Sequence, residues 1–84
     1  MNYSEIYVHR IYKLCEKQKI SINHLATISG VKQSTLDNIM QGKTKNPGIK
    51  SIHKIANAFN MTPAEFLDFK ELNEFSFDDN EDEK

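Results

Sequence analysis

An all-α fold, a compact bundle of five helices with two of them joined by a tight glycine turn, is what this 84-residue sequence predicts. Three observations carry that reading. Apolar residues recur at three-or-four spacing along most of the chain, which lays a stripe on one face of each helix. Strand-like alternation and internal repeats are both absent, which leaves helix-on-helix packing as the architecture. The chain also has only 3 Gly and 2 Pro and no Trp, too few turn-formers for a β-sandwich.

Helix one runs from Tyr3 to Lys19, where Tyr3, Ile6, Tyr7, Ile11, Leu14 and Cys15 share a face. Ser21 is placed to accept from the backbone N–H groups of a second helix. Its inward residues are Ile22, Leu25 and Ala26, and Gly30 ends it after about two turns by permitting a positive φ. Val31 anchors the turn; Leu36, Ile39 and Met40 form the next inward stripe before Gly42 closes helix three. On a helical wheel of about 100° per residue centred on Leu36, Ser34 and Asn38 point nearly opposite the core, flanked by Gln41 and Asp37. The loop GKTKNPG cannot be helical because of Pro47 and its two glycines. Helix four is expected from about Ile49 to Phe59, with Ile49, Ile52, Ile55, Ala56 and Phe59 on one side. Thr62 to Glu65 reads as a capping box with Pro63 at the first helical position, launching helix five with Phe66 and Leu67 and with Phe69 as a further candidate.

A chain of this length forms one domain at most and buries only about 60% of its unfolded surface, so the core is small and no separate sensor domain fits. Its one cysteine cannot form an internal disulfide, and MNYSEIYVHR lacks the basic and apolar regions of a signal peptide, so a cytoplasmic protein is expected. No window approaches the ~18 consecutive apolar residues of a membrane span, and no membrane partner is expected. The net charge of −1 averages two unlike parts. Residues 70–84 carry two Lys and seven Asp/Glu, net −5, while 1–69 hold nine basic against five acidic residues, net +4. The chain therefore divides into a basic domain, 1–69, and an acidic tail, 70–84, expected to be flexible, although Leu72, Phe75 and Phe77 leave a docked segment open.

Two short helices about a glycine turn, packed on the others, leave the second one standing proud of the surface. A major groove about 12 Å wide accepts one such helix, and base edges are read by side chains that both donate and accept. Gln33, Ser34 and Asn38 are of that kind; Gln and Asn can pair bidentately with adenine, worth roughly 1–3 kcal/mol of discrimination. Gln33 sits nearer the core side but leans toward the helix start and so reaches forward. Thr35 is placed for a sugar, phosphate or thymine-methyl contact. Lys43, Lys45, Asn46 and Lys50 follow where a duplex backbone would run, and such contacts fix register without conveying sequence. Lys32 opposes the helix macrodipole and supplies no capping oxygen, a cost that an approaching phosphate would offset.

The stretches SINHLATISGVKQSTLDNIMQGKTKNP and IKSIHKIANAFNMTPAEFL, within residues 6–69, resemble the DNA-binding domain of the phage repressor and Cro family, the xenobiotic-response-element-like, lambda-repressor-like helix-turn-helix. The resemblance rests on Leu25-Ala26, Gly30-Val31, the Leu36 and Ile39 pair, Gly42-Lys43, Ile55-Ala56 and the Thr62-Pro63 cap taken together. It implies base reading from the first turns of helix three, here Gln33, Ser34 and Asn38, and phosphate contacts at the start of helix two and the loop after helix three, matched by Ser21, Lys43, Lys45 and Asn46. It also implies repression or activation of transcription, repression being the expectation, by a homodimer on a two-fold operator in double-stranded DNA. Two departures stand out. An interior Arg–Glu pair of many members is replaced by Cys15 and Met40, which avoids desolvating an ion pair. The usual serine cap of helix three is Lys32, and the usual polar opening residue of helix two is Ile22.

Other residues fit plainer roles. Asp37 could accept from a cytosine amino group or simply face solvent. Cys15, on an apolar stripe, reads as core rather than as a nucleophile. His9, His24 and His53 lack a second ligand at zinc-like spacing, and DDNEDE lacks the glycine and the twelfth ligand of a calcium loop, so no metal, cofactor or small-molecule ligand is expected. No catalytic constellation emerges and no enzymatic activity is expected. The acidic end is either a solubilising terminus or a weak DNA mimic that folds back over the basic face. The competing function is a protein-interaction module, antitoxin-like or a phage-encoded adaptor, on the same fold.

Overall fold

The apolar stripes read from the sequence become the inner faces of helices that close on one core. The computed structural model describes residues 2–44 and 46–78. Six helices follow one another among the described residues: α1 (Tyr3–Gln18), α2 (Ile22–Ser29), α3 (Gln33–Met40), α4 (Ile49–Ala58), α5 (Pro63–Leu67) and α6 (Lys70–Asn73). The first five are those the sequence predicts, four from their periodicity and the fifth from its capping box, and the sixth is an addition of one turn. Helix α4 packs against α2 and α5, α2 also against α3, and α1 against both α2 and α3. Ile11, Leu25, Leu36, Ile55 and Phe66 are fully buried at the centre, with Phe59 and Phe66 stacked at 6.4 Å between α4 and α5. Burial of each such side chain contributes roughly 1.5–3 kcal/mol, which is how a domain this small holds short helices that would not persist alone.

One expectation fails at the start of α4. Ile49 was expected on the inward stripe but is 73% exposed. It is the first residue of the helix, a turn ahead of the buried Ile52, so the inward direction that its spacing assigns leads past the packed elements rather than into them. Cys15 is buried in the core and Met40 packs against it half-buried, so an apolar pair occupies the two places that the family resemblance assigns to an ion pair. Burial pushes the Cys15 thiol above its ordinary range, as a neutral core side chain requires.

The helix ends follow the chemistry of their terminal residues. Asn2 caps α1 by accepting from the Glu5 backbone N–H while the Glu5 carboxylate accepts from the Asn2 N–H, both at 2.9 Å. Thr62 and Glu65 make the same reciprocal pair at α5, with Pro63 at its first position. Gly30 ends α2 at φ 77°, and Gly42 follows α3 at φ 75°. At Gly42 the Lys43 N–H donates to the Asn38 carbonyl and the Gly42 N–H to the Ile39 carbonyl, the paired bonds of a Schellman motif. The same pair of bonds closes α1 around Lys19 (φ 60°) and α4 around Asn60 (φ 62°), so two helices turn on residues that carry a side chain.

Beyond residue 69 the chain stays against the body as far as Phe77. Leu72 and Phe75 are half-buried on the core, and the Phe75 ring meets Tyr3 edge-on at 5.1 Å and Phe77 at 4.9 Å. Tyr3 also meets Tyr7 at 5.2 Å and accepts a hydrogen bond from its hydroxyl, 2.8 Å away. An aromatic pad thus joins the start of α1 to the segment after α6. Residues 79–84, which carry most of the tail's acidic charge, lie outside the described residues.

Candidate nucleic-acid interface

Helix α3 buries Leu36 and Ile39, and that choice of inner face turns Ser34 and Asn38 outward; both are exposed. Gln33, the first residue of the helix, is exposed as well. All three expected base-reading residues are therefore solvent-exposed on α3, with Ser34 and Asn38 facing away from the core. Gln33 is also held there: its Nε2 donates to Asp37 Oδ1 at 2.9 Å, one helical turn on. Thr35, by contrast, is half-buried on the flank of α3 rather than on its crest.

The beginning of α3 is electrostatically unusual. Lys32 precedes it with no side-chain cap, no acidic residue lies in its first turn, and the Leu36 N–H is the first to reach back, to the Lys32 carbonyl. The N–H groups of Gln33, Ser34 and Thr35 therefore have no partner along the helix, and the positive end of the helix dipole lies beside a lysine. Helix α4 begins in the same way, after Gly48, with no side-chain cap and no acidic first turn. Between these two helix starts lies a cavity of about 230 Å³ lined by Gly30, Val31, Lys32, Thr35, Lys50, Ser51 and Lys54. Three lysines and two hydroxyl-bearing residues thus line a depression beside two uncapped helix starts, a combination of positive charge and unpaired N–H groups that favours an anion over a cation.

This cavity gathers Lys32, Thr35 and Lys50, all expected to meet the DNA backbone, and adds Ser51 and Lys54, which the sequence reading missed. Lys54 is four residues after Lys50 and so shares its helix face, a signal that was present. Its convergence with Lys32 depends on how α4 packs across α2 and could not be read from one helix. Ser21 caps α2, its Oγ accepting from the His24 N–H at 3.0 Å, and the exposed hydroxyl keeps its own proton to donate outward. Lys43 and Asn46 are exposed in the loop after α3; Lys45, expected to act with them, lies outside the described residues. A larger open groove of about 600 Å³ runs between α1 and the end of α3, past Val8, His9, Tyr12 and Met40. It is lined by Glu5 and by no Lys or Arg, so size does not make it the anion-facing side.

A family model of the Cro/C1-type HTH DNA-binding domain matches residues 10–71, from the middle of α1 to the start of α6. The chain belongs to the Cro/C1-type helix-turn-helix DNA-binding family. The crystal structure of the prophage Lp1 protein 11 is similar to it at a TM-score of 0.79 and 30% identity, over 89% of this chain and 100% of that one. No curated protein matches it. As a Cro/C1-type domain the chain is a DNA-binding regulator whose partner is double-stranded DNA. No helix among the described residues is long and apolar enough to cross a membrane.

Proposed function

We propose that this Cro/C1-type protein is a sequence-specific transcriptional repressor that lays α3 in the major groove and binds a two-fold operator as a homodimer. Gln33, Ser34 and Asn38 read base edges. Ser21, Lys32, Thr35, Lys43, Lys45, Asn46 and Lys50 contact the phosphate backbone, and residues 1–69 form the DNA-binding unit ahead of the acidic extension 70–84. The observation that carries the reading is the pairing of one exposed polar face on α3 with an uncapped, lysine-lined cavity at its start. A helix entering the groove start-first meets base edges with the first and phosphates with the second.

Selection from a random duplex library, then titration of the enriched sequence at several salt concentrations, tests this. Asn38→Ala and Ser34→Ala should relax preference at particular base pairs, by about 1–3 kcal/mol for a bidentate contact of Asn38 and by less for the single hydroxyl of Ser34. Lys50→Ala should weaken all sequences alike and lower the salt slope by about one. A selection that enriches nothing, or binding indifferent to salt, would favour the protein-interaction module instead, whose largely apolar contacts respond little to salt.

A further inference from the structure

Gln33 stands at the first position of α3, where an unbranched side chain with several rotatable bonds would ordinarily sample many directions. Here one direction is favoured, because its Nε2 donates to Asp37 Oδ1 at 2.9 Å across one helical turn. Asp37 is the better anchored of the two: it is shorter and half-buried on the flank of α3, whereas Gln33 is exposed. A primary amide has two N–H donors and a carbonyl oxygen. With one N–H turned back to Asp37, the other N–H and the oxygen remain, and these are the two groups an adenine edge takes, at N7 and N6.

We propose that Asp37 is a positioning residue for base recognition: its carboxylate fixes the Gln33 amide before DNA arrives, leaving the pairing edge open. The proposal rests on Gln33 reading a base. Binding the right base otherwise requires ordering a flexible side chain, whereas on a wrong base the chain stays loose and that cost is not incurred. Ordering in the free protein removes the difference and widens the gap between right and wrong bases. The carboxylate has an opposite effect on total affinity, since a negative charge beside phosphates repels every sequence alike. Asp37 therefore lowers affinity and raises selectivity. That combination also accounts for an acidic side chain on the flank of a helix whose start lies among lysines.

The full-length protein and three variants test this on the enriched duplex and on duplexes changed at the base pair whose preference Gln33→Ala abolishes. The readout is the ratio of dissociation constants between preferred and changed base pairs, alongside absolute affinity. Asp37→Ala should lower the ratio by roughly 1.5- to 2.5-fold, the worth of one exposed Gln–Asp pair a helical turn apart, without weakening binding to the changed duplexes. Asp37→Asn retains an acceptor oxygen in the same place and lacks the charge, so it should keep the ratio and tighten binding to all duplexes. If Gln33→Ala lowers the ratio and Asp37→Ala leaves or raises it, the positioning role is overturned while base reading by Gln33 stands. A fall in the ratio for Asp37→Asn equal to that for Asp37→Ala overturns it too, because charge and not orientation would be responsible. If Gln33→Ala leaves every base preference intact, the reading beneath the proposal fails with it.

Discussion

Arg10, the chain's single arginine, is used by the fold rather than by the basic face. Its Nε donates to the Phe66 carbonyl and its Nη2 to the Glu65 carbonyl, both at 3.0 Å, and its guanidinium lies 5.7 and 5.0 Å from the centres of the Phe66 and Phe69 rings. The end of α5 is thereby capped by a cation, as the helix dipole favours. Arg10→Ala is expected to cost about 2 kcal/mol of stability, from charged hydrogen bonds and cation–π contact together. Arg10→Lys should restore little, because an ammonium cannot reproduce the planar fork. Neither change should alter the salt slope of DNA binding by the folded protein, and a changed slope would move Arg10 into the interface. Residue identity alone does not separate this arginine from the lysines proposed to meet DNA; only its contacts with α5 do. Protons give a second check at this scale. Burial raises both the Cys15 thiol and the Tyr7 hydroxyl, the latter with help from the adjoining Tyr3 hydroxyl. The folded chain thus keeps protons that the unfolded chain releases as pH rises past about 8.5 for cysteine and about 10 for tyrosine. Stability contributed by these groups is complete below that range and declines above it. Urea midpoints measured from pH 7 to 11 should fall, and Cys15→Ala should remove the earlier part of the decline.

The helices were legible in the sequence wherever an apolar stripe ran for two turns or more, and they were illegible where something else decided the outcome. Helix α6 holds four residues, none of them buried, so it leaves no periodic signal; it is set by the rings after it, where Phe75 packs on Tyr3. The closures at Gly30 and Gly42 could be read because glycine favours a positive φ. The closures at Lys19 and Asn60 could not, since Lys19 adopts a conformation that its own side chain disfavours by about 1–2 kcal/mol. Lys19→Gly should therefore raise stability, by about 0.5–1 kcal/mol once the greater freedom of glycine in the unfolded chain is subtracted. The start of α3 joins fold and function more directly. Lys32 leaves the first turn uncapped, and Lys32→Ser would supply an oxygen to accept from the Ser34 or Thr35 N–H. That substitution should stabilise the fold by about 1 kcal/mol while weakening DNA binding and reducing its salt slope by about one. Thermal unfolding and a salt titration on the same variant decide the matter. A gain in stability with unchanged DNA binding would mean that the uncapped start has no part in contacting phosphate.

At the scale of the whole molecule the informative property is where charge sits rather than how much there is, and the sequence shows this openly in its basic 1–69 and acidic 70–84. What it does not show is that the two parts are mechanically joined. Leu72 and Phe75 pack on the body and Phe77 reaches Tyr3 at 5.6 Å, so removing everything after Phe69 would strip packing and charge together. A cut after Asp78 separates them. It leaves the aromatic pad whole and takes away Asp79, Glu81, Asp82, Glu83 and Lys84, which moves the net charge from −1 to +2. If the acidic end screens the basic face, the shortened protein should bind non-specific duplex several-fold more tightly at about 20 mM salt, where the Debye length is roughly 20 Å. The difference should vanish near 0.5 M, where that length is about 4 Å. Unfolding by urea should be unchanged, because no described packing is lost. Equal low-salt binding by the two forms would show that the acidic terminus does not attenuate attraction to phosphates. A difference that persisted at high salt would point to direct contact with the duplex rather than to screening.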